Sequence, residues 1–519
     1  MFILLTVLIL FLTALTILIM SWARRDFRSA WLIATGGTFL AWLSVLLWQV
    51  RLPVLFSLSV WQPRSLFIDS PFFMVDNLSW PYAFSLISLA LAALLTAVAR
   101  SDFPEPPGWA GILILTGLGL LAVSANNPLT LVLVWAAIDL AELITQLLAV
   151  RGVYSNQRVV VSFSIRVIGM GILLWAGIVS TASGETLNFL STPPQVGLYL
   201  LVAAGLRLGV LPLHLPFTEE TTLRRGFGTT LRLVAPASSL ILLARIPSSS
   251  VLSPLTPYLL ILTALAALYG GWMWMQSKDA LSGRPYLLIG LASLSIASAL
   301  RANPIGSVAW GCALILSGGV LFLASVQEKW LTRVVLVGTW GLSALPFSPT
   351  ASGWLSGSPT LWVVWLLFIP AHAFILSGYV RHALRPSGTS YSTQPKWSQL
   401  IYPSGIALLP LALVVLGLWG WVGALTMGSW VISLIAGGLA AVITWIMPHL
   451  PLLSPVRSLG IRPGQVSWLD GIYRSVWALF RLLGRFSSTL SQILESDGGV
   501  LWTMLFMVLF ISLLAQFSR

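Results

Sequence analysis

Leu206-Arg207-Leu208-Gly209-Val210-Leu211-Pro212-Leu213-His214-Leu215-Pro216, followed by Phe217-Thr218-Glu219-Glu220, places an arginine inside an apolar run and then brackets a histidine between two prolines. Hydrocarbon tolerates neither a free guanidinium nor unpaired backbone groups. Non-helical backbone at that depth persists only where protein or a water-filled cavity surrounds it. The stretch therefore reads as a broken transmembrane helix carrying a buried charge, the physical setting of an ion path. The plainer reading is a proline kink with an arginine held by a structural acid. Local pattern leaves both open.

The rest of the chain supplies the membrane. Of 519 residues, 57% are hydrophobic and only 8% are charged. Runs near the roughly 20 residues needed to cross a bilayer recur at 2–22, 29–50, 78–99, 109–125, 128–150, 159–182, 195–215, 228–246, 254–275, 285–302, 305–326, 331–347, 358–380, 400–421, 425–447 and 499–517. The pattern predicts an all-α polytopic membrane protein with about 14–16 transmembrane helices. The 25 tryptophans suit two membrane interfaces as readily as buried packing. The first run, Met1–Trp22, is too long for a signal-peptide core and is followed by Arg24, Arg25 and Arg28, so it reads as a retained span.

Several function classes lose support. The formal charge of +13 is spread over loops rather than gathered into a basic domain, which argues against nucleic acid as a partner. Cys312 is the only cysteine, so there is no disulfide framework and no cluster-ligand set. His214, His372, His382 and His449 are too scattered to suggest a metal site, and no phosphate-binding glycine loop is present. No cofactor, metal or catalytic site is expected. A polytopic membrane enzyme would need a polar loop with grouped acids or histidines, and none stands out.

With sides alternated span by span, the loops after odd-numbered spans hold twenty Lys and Arg residues, whereas the opposite loops hold only Arg51, Arg64, Arg245 and Arg301. Cationic loops stay on the cytoplasmic side, so the N-terminus is expected outside. Arg166, Arg207 and Arg232 remain inside spans, with the acids Asp139 and Glu142 in the fifth. Glu219 and Glu220 follow the broken seventh span. Buried charge is thus concentrated in spans five to eight and almost missing from nine to thirteen. Asp139 and Glu142, at i and i+3, share a helix face. Arg207 and Arg232 are their natural cations, either pinning helices or forming an ion path with His214. Arginine releases protons poorly, its pKa exceeding about 12, and lysine would make a better relay.

A second broken segment, Leu342-Ser343-Ala344-Leu345-Pro346-Phe347-Ser348-Pro349-Thr350, comes five spans later. Paired interruptions of this kind point to an inverted-repeat transporter core. Val466–Glu495 has an apolar stripe at three- and four-residue steps with Arg474, Arg481 and Arg485 between. It reads as an amphipathic helix along the cytoplasmic interface or against a partner. Pro386–Pro395 reads as a flexible linker.

Together these features resemble the antiporter-like membrane subunits of respiratory complex I, membrane-bound hydrogenases and Mrp-type cation/proton antiporters. Val75-Asp76-Asn77-Leu78-Ser79 is similar to the family's lead-in to its third helix, and Leu131–Trp135 to the run before its tryptophan-glutamate pair. Arg207–His214 resembles the broken-helix motif, in which a lysine stands five residues before Pro-Leu-His. Arg232 falls where the next helix carries lysine or histidine. Asp279–Ser293 resembles the stretch opening the second repeat, and Ala344–Trp354 the second broken helix.

The resemblance implies two inverted five-helix repeats, each with a broken helix, at 109–246 and 254–383. N-terminal flanking helices would occupy 1–108. C-terminal helices would occupy 384–519, including the amphipathic segment at 466–495. It implies a proton-translocation-type subunit of a complex I-like NADH/quinone oxidoreductase or related assembly. Its partners would be other membrane subunits and the lipid bilayer, in a bacterial plasma membrane or a thylakoid-type energy-coupling membrane. An Mrp-like or inorganic-carbon-uptake membrane partner and a non-conducting structural subunit are the alternatives. The departures are specific. The family's glutamate falls at Ala136, with Asp139 one turn on. Both lysine positions hold arginine, no lysine stands near Ser317–Gly318, and Trp354 occupies the titrating position of the second break. A degenerate ion path is expected.

Overall fold

The computed structural model describes residues 2–23, 29–57, 70–100, 105–149, 153–217, 225–356, 362–385, 388–420, 423–424, 426–446 and 478. Glu219, Glu220, the amphipathic helix expected at 466–495 (residue 478 apart) and the span at 499–517 lie outside the described residues.

Lipid offers the backbone no hydrogen-bond partner, so apolar runs of this length become helices. Among the described residues there are fifteen: α1 (Phe2–Ala23), α2 (Ala30–Trp48), α3 (Trp80–Thr96), α4 (Pro106–Ser124), α5 (Pro128–Ala149), α6 (Val153–Ala182), α7 (Gly197–Leu208), α8 (Arg225–Leu243), α9 (Thr256–Gln276), α10 (Arg284–Leu300), α11 (Pro304–Leu323), α12 (Lys329–Leu342), α13 (Trp362–Leu384), α14 (Lys396–Val415) and α15 (Trp430–Ile446). Each falls on one of the first fifteen expected spans. Eleven stretches are long and apolar enough to cross a membrane, and α7, α10 and α15 are shorter apolar helices. The protein is an all-α polytopic integral membrane protein.

Local sequence explains where helices begin. α4, α5 and α11 start on proline, which is pre-set for the first helical position and has no N–H to leave unsatisfied. Asp76-Asn77-Leu78-Ser79 before α3 and Asp279-Ala280-Leu281-Ser282 before α10 fold alike. In each, the aspartate Oδ1 accepts from the backbone N–H groups two and three residues on. A short antiparallel hairpin, β1 (Val54–Ser57) with β2 (Phe72–Val75), precedes α3 and pairs Val54 with Val75. Sequence reading did not anticipate it.

The helices separate into inner and outer sets. α3, α8, α10 and α11 are buried along almost their whole length, while α1, α2 and α15 turn Leu, Ile and Val outward. Outward-facing apolar residues of this kind match a lipid surround. α9 packs closely on α10 through glycines: a Cβ on Gly270 would lie 2.6 Å from the Gly290 nitrogen. Small residues let helix backbones approach in membranes, where no hydrophobic force drives them together.

α7 and α12 are the shortest of the fifteen. At 12 and 14 residues, they reach only about 18–21 Å, short of the roughly 30 Å hydrocarbon core. Both end at the proline-broken segments.

Candidate ion path

The first break begins at Gly209. It caps α7 in the left-handed region, with φ 76°, and its N–H bonds back to Leu206. A side chain there would strike the His214 carbonyl at 2.4 Å and Pro216 Cδ at 2.9 Å. Glycine is therefore what lets the chain fold back on itself, and the His214 N–H then reaches the Gly209 carbonyl at 3.0 Å. The Ser162 hydroxyl on α6 donates to the Pro216 carbonyl. The break's freed backbone groups are thus satisfied by protein.

Four helices meet beside this break. On α5, Trp135, Ile138, Asp139, Glu142 and Gln146 point inward. Ala136 is exposed, so the position aligned with the family glutamate faces away from the site. Arg207 of α7 grips Asp139 through Nη1–Oδ2 at 2.6 Å and Nη2–Oδ1 at 2.9 Å. Its Nε donates to Ser239 Oγ of α8 at 3.2 Å and its Nη1 to the Arg166 carbonyl of α6, also at 3.2 Å. Its guanidinium lies 4.0 Å from the Trp135 ring centroid. Glu142 is shared. Arg166 of α6 donates to Oε2, Arg232 of α8 donates to Oε1, and Gln146 Nε2 donates to Oε1 at 2.6 Å. Arg166 Nη1 also approaches Asp139 Oδ1 at 3.7 Å. Arg232 stacks over Phe217, the residue just past the break, at 4.2 Å.

Asp139, Glu142, Arg207 and Arg232 are therefore brought together as the sequence suggested. Arg166 is the member that sequence reading did not assign to the cluster. Its signal was present, because an arginine inside an apolar span must find a carboxylate. His214 is buried but is not joined to the acids. Its Nδ1 pairs locally with the Pro212 carbonyl at 2.8 Å. Pro212 and Pro216 flank it in the break. A cavity with room for about one water molecule opens on Glu142, Arg166, Arg232 and Pro216.

The second break differs in chemistry. After α12, Ala344 and Phe347 adopt positive φ values of 52° and 60° around Pro346, and Pro349 precedes a short 3-10 turn at Ala351–Trp354. Thr350 Oγ1 donates to the Gly341 carbonyl at 2.9 Å and accepts from the Ala344 N–H at 2.9 Å. His372 Nε2 pairs with the Leu342 carbonyl at 2.8 Å. Trp354 is 1% exposed. Its ring packs on Trp310, Trp365, Phe368 and His372, with centroids 5.4 to 6.0 Å apart. No carboxylate–arginine pair joins this cluster among the described residues. Where the first break meets a charge network, the second meets an aromatic one.

No family model and no curated protein matches the sequence. The fold is shared with solved structures at low identity. A chain of the Mrp complex from Dietzia sp. DQ12-45-1b superposes with TM-score 0.72 at 15% identity, over 100% of this chain and 63% of that one. The protein thus spans about 63% of the length of that Mrp chain. A chain of the membrane-bound sulfane sulfur reductase, an archaeal respiratory membrane complex, matches with TM-score 0.64 at 14% identity, over 98% of this chain and 100% of that one. A chain of respiratory complex I from Thermus thermophilus matches with TM-score 0.59 at 18% identity, over 82% of this chain and 100% of that one. The protein has the fold of membrane subunits found in Mrp and respiratory complexes, the assemblies that its motifs resemble.

Proposed function

We propose that the protein is a divergent antiporter-like membrane subunit of a complex I-like or Mrp-like assembly, with an ion path confined to its first half. The observation that carries this reading is the ion network on α5–α8 beside the first break, set against an aromatic cluster beside the second. Intramembrane carboxylates and arginines are costly to bury and mark ion pathways. The assignment of two inverted repeats to 109–246 and 254–383, the outside N-terminus and the membrane-subunit partners belong to this reading. Likeness in fold to subunits of multi-subunit membrane complexes supports it.

One observation favours a second reading, that of a non-conducting structural subunit. Arg207 is saturated by Asp139, Ser239, the Arg166 carbonyl and the Trp135 ring, and arginine gives up its proton poorly. The test is proton flux in liposomes carrying the chain with the membrane proteins that copurify with it. Asp139→Asn in a stable, assembled protein should abolish flux if the network conducts. Intact flux in that variant would defeat the conducting reading. Purification of the chain without other membrane subunits in mild detergent would defeat both.

A further inference from the structure

The three-residue loop joining α10 to α11 holds a charge with no counterpart among the described residues. Arg301 is 1% exposed. Its Nη2 donates to the Leu355 carbonyl, while Nε and Nη1 have no hydrogen-bond partner among the described residues. The guanidinium lies 4.8 Å from the Trp365 ring centroid and 5.7 Å from that of Trp354. No acid among the described residues pairs with it. Arg166, Arg207 and Arg232 are comparably buried, and each faces a carboxylate. Burial lowers the Arg301 pKa to about 10, which leaves it charged at neutral pH.

Beyond Arg301 the structure is polar and uncharged. Asn303 Nδ2 donates to the Ser352 carbonyl at 2.8 Å, and Ser298 Oγ to the Gly353 carbonyl at 3.0 Å. Ser295 Oγ and Ser307 Oγ lie 2.8 Å apart. All six residues are buried. Hydroxyl and amide groups can solvate an ion or a water chain of either sign. Where groups of this kind line an ion route, a fixed charge beside them decides which ions are admitted.

We propose that Arg301 is an ion-selecting residue. Its uncompensated charge, framed by Trp354 and Trp365 beside the second broken helix, keeps protons and metal cations out of the hydroxyl seam behind it. The proposal rests on reading the chain as an ion-path subunit whose second half is closed. It adds that the closure is electrostatic as well as steric. At an effective dielectric of about 20, a unit charge roughly 6 Å away slows a passing monovalent cation on the order of a hundredfold.

The test uses the full chain in liposomes with an internal pH dye and the membrane potential clamped. Arg301→Gln removes the charge and keeps an N–H for the Leu355 carbonyl. It should raise proton conductance at least about tenfold. Arg301→Lys also carries a charge, but a buried lysine can lose its proton, so its conductance should fall towards the parent level as pH is lowered. A third variant, Leu355→Asp, neutralises the charge without touching Arg301, at a position already 43% exposed. It should behave like Arg301→Gln, and it decides the matter if Arg301→Gln does not fold. Parent-level conductance in a folded Arg301→Gln or Leu355→Asp protein would overturn the proposal. So would a rise in Arg301→Lys that does not fall as pH is lowered, because then packing and not charge is the barrier. The same variants made on an Asp139→Asn background separate the two readings. A leak opened at Arg301 persists there, whereas insensitivity of the parent flux to Asp139→Asn counts only against the conducting first half.

Discussion

Arg207 and Asp139 face each other through two parallel hydrogen bonds, at 2.6 and 2.9 Å, with neither side chain more than 1% exposed. The fork fixes α7 to α5 at the level where α7 stops. Without Asp139, Arg207 would hold an uncompensated charge next to lipid-embedded helices. Asp139→Asn is therefore expected to cost about 3–5 kcal/mol, as removal of one partner from a buried pair does. Thermal melting of the detergent-solubilised protein measures it. Replacing both partners, Asp139→Leu with Arg207→Met, should cost less than either single change, because no lone charge remains. Additive losses would show that the pair does not act as a unit.

Arg207→Lys separates relay from clamp. Lysine keeps the charge and can lose its proton when buried, but it lacks the fork that reaches Asp139 twice and Ser239 once. For a clamp, stability should fall with no gain in flux. For a relay, the lysine variant should conduct at least as well as the parent. Melting temperature and liposome flux, read on the same preparation, distinguish them.

Gly209→Ala tests the break itself. The position needs φ 76°, and an added Cβ would meet the His214 carbonyl at 2.4 Å. Left-handed backbone costs an L-residue roughly 1–2 kcal/mol, and the clash adds to this. A melting temperature unchanged from the parent would mean that the turn relaxes without cost.

How far the sequence disclosed this arrangement varied with the physics of each part. Long apolar runs fix helices almost by themselves, so α1 to α15 fall where hydropathy placed them. The cluster around Asp139 and Glu142 was legible because charges inside spans have few partners to choose from. Arg166 was placed inside a span but given no partner, because helical periodicity does not say which way a third arginine turns. Arg245 and Asp76 were unreadable as a pair: 169 residues separate them, and only the tertiary fold joins them. The hairpin before α3 was hidden by its four-residue strands. The role of Arg301 was equally hidden, since a loop arginine in sequence gives no hint of being 1% exposed between tryptophans.

The Asp76–Arg245 pair ties the turn before α3 to the end of α8, with contacts at 2.6 and 2.8 Å. Burial by itself would raise the Asp76 pKa, but Arg245 and the Ser79 hydrogen bonds outweigh it and hold the carboxyl below its ordinary value. A carboxylate with a lowered native pKa adds stability above its unfolded value, near about 3.9, and loses it as pH falls through the native one. Unfolding followed from pH 7 down to pH 3 should therefore show a loss at the acid end that Asp76→Asn lacks. Parallel curves for the two proteins would show that Asp76 contributes nothing to it.

Topology gives the last prediction. α9 covers 21 residues, about 31 Å, so its two ends lie on opposite faces of the bilayer. Lys278 follows its C-terminal end. There, Arg381 of α13 donates to the Met275 carbonyl, and Arg385 donates to the carbonyls of Ser277 and Lys278. Three cations thus gather at one end of α9, and its other end is reached from Ser248–Leu252. Cationic ends are retained in the cytoplasm, so the Lys278 end is expected inside and the Ser249 end outside. Cys312 is 2% exposed and can be replaced by serine to remove the only native thiol. In that background, a membrane-impermeant maleimide added to intact cells should label Ser249→Cys and spare Lys278→Cys until the membrane is opened. Labelling of Lys278→Cys from outside, with Ser249→Cys protected, would invert the assigned orientation and, with it, the outside N-terminus.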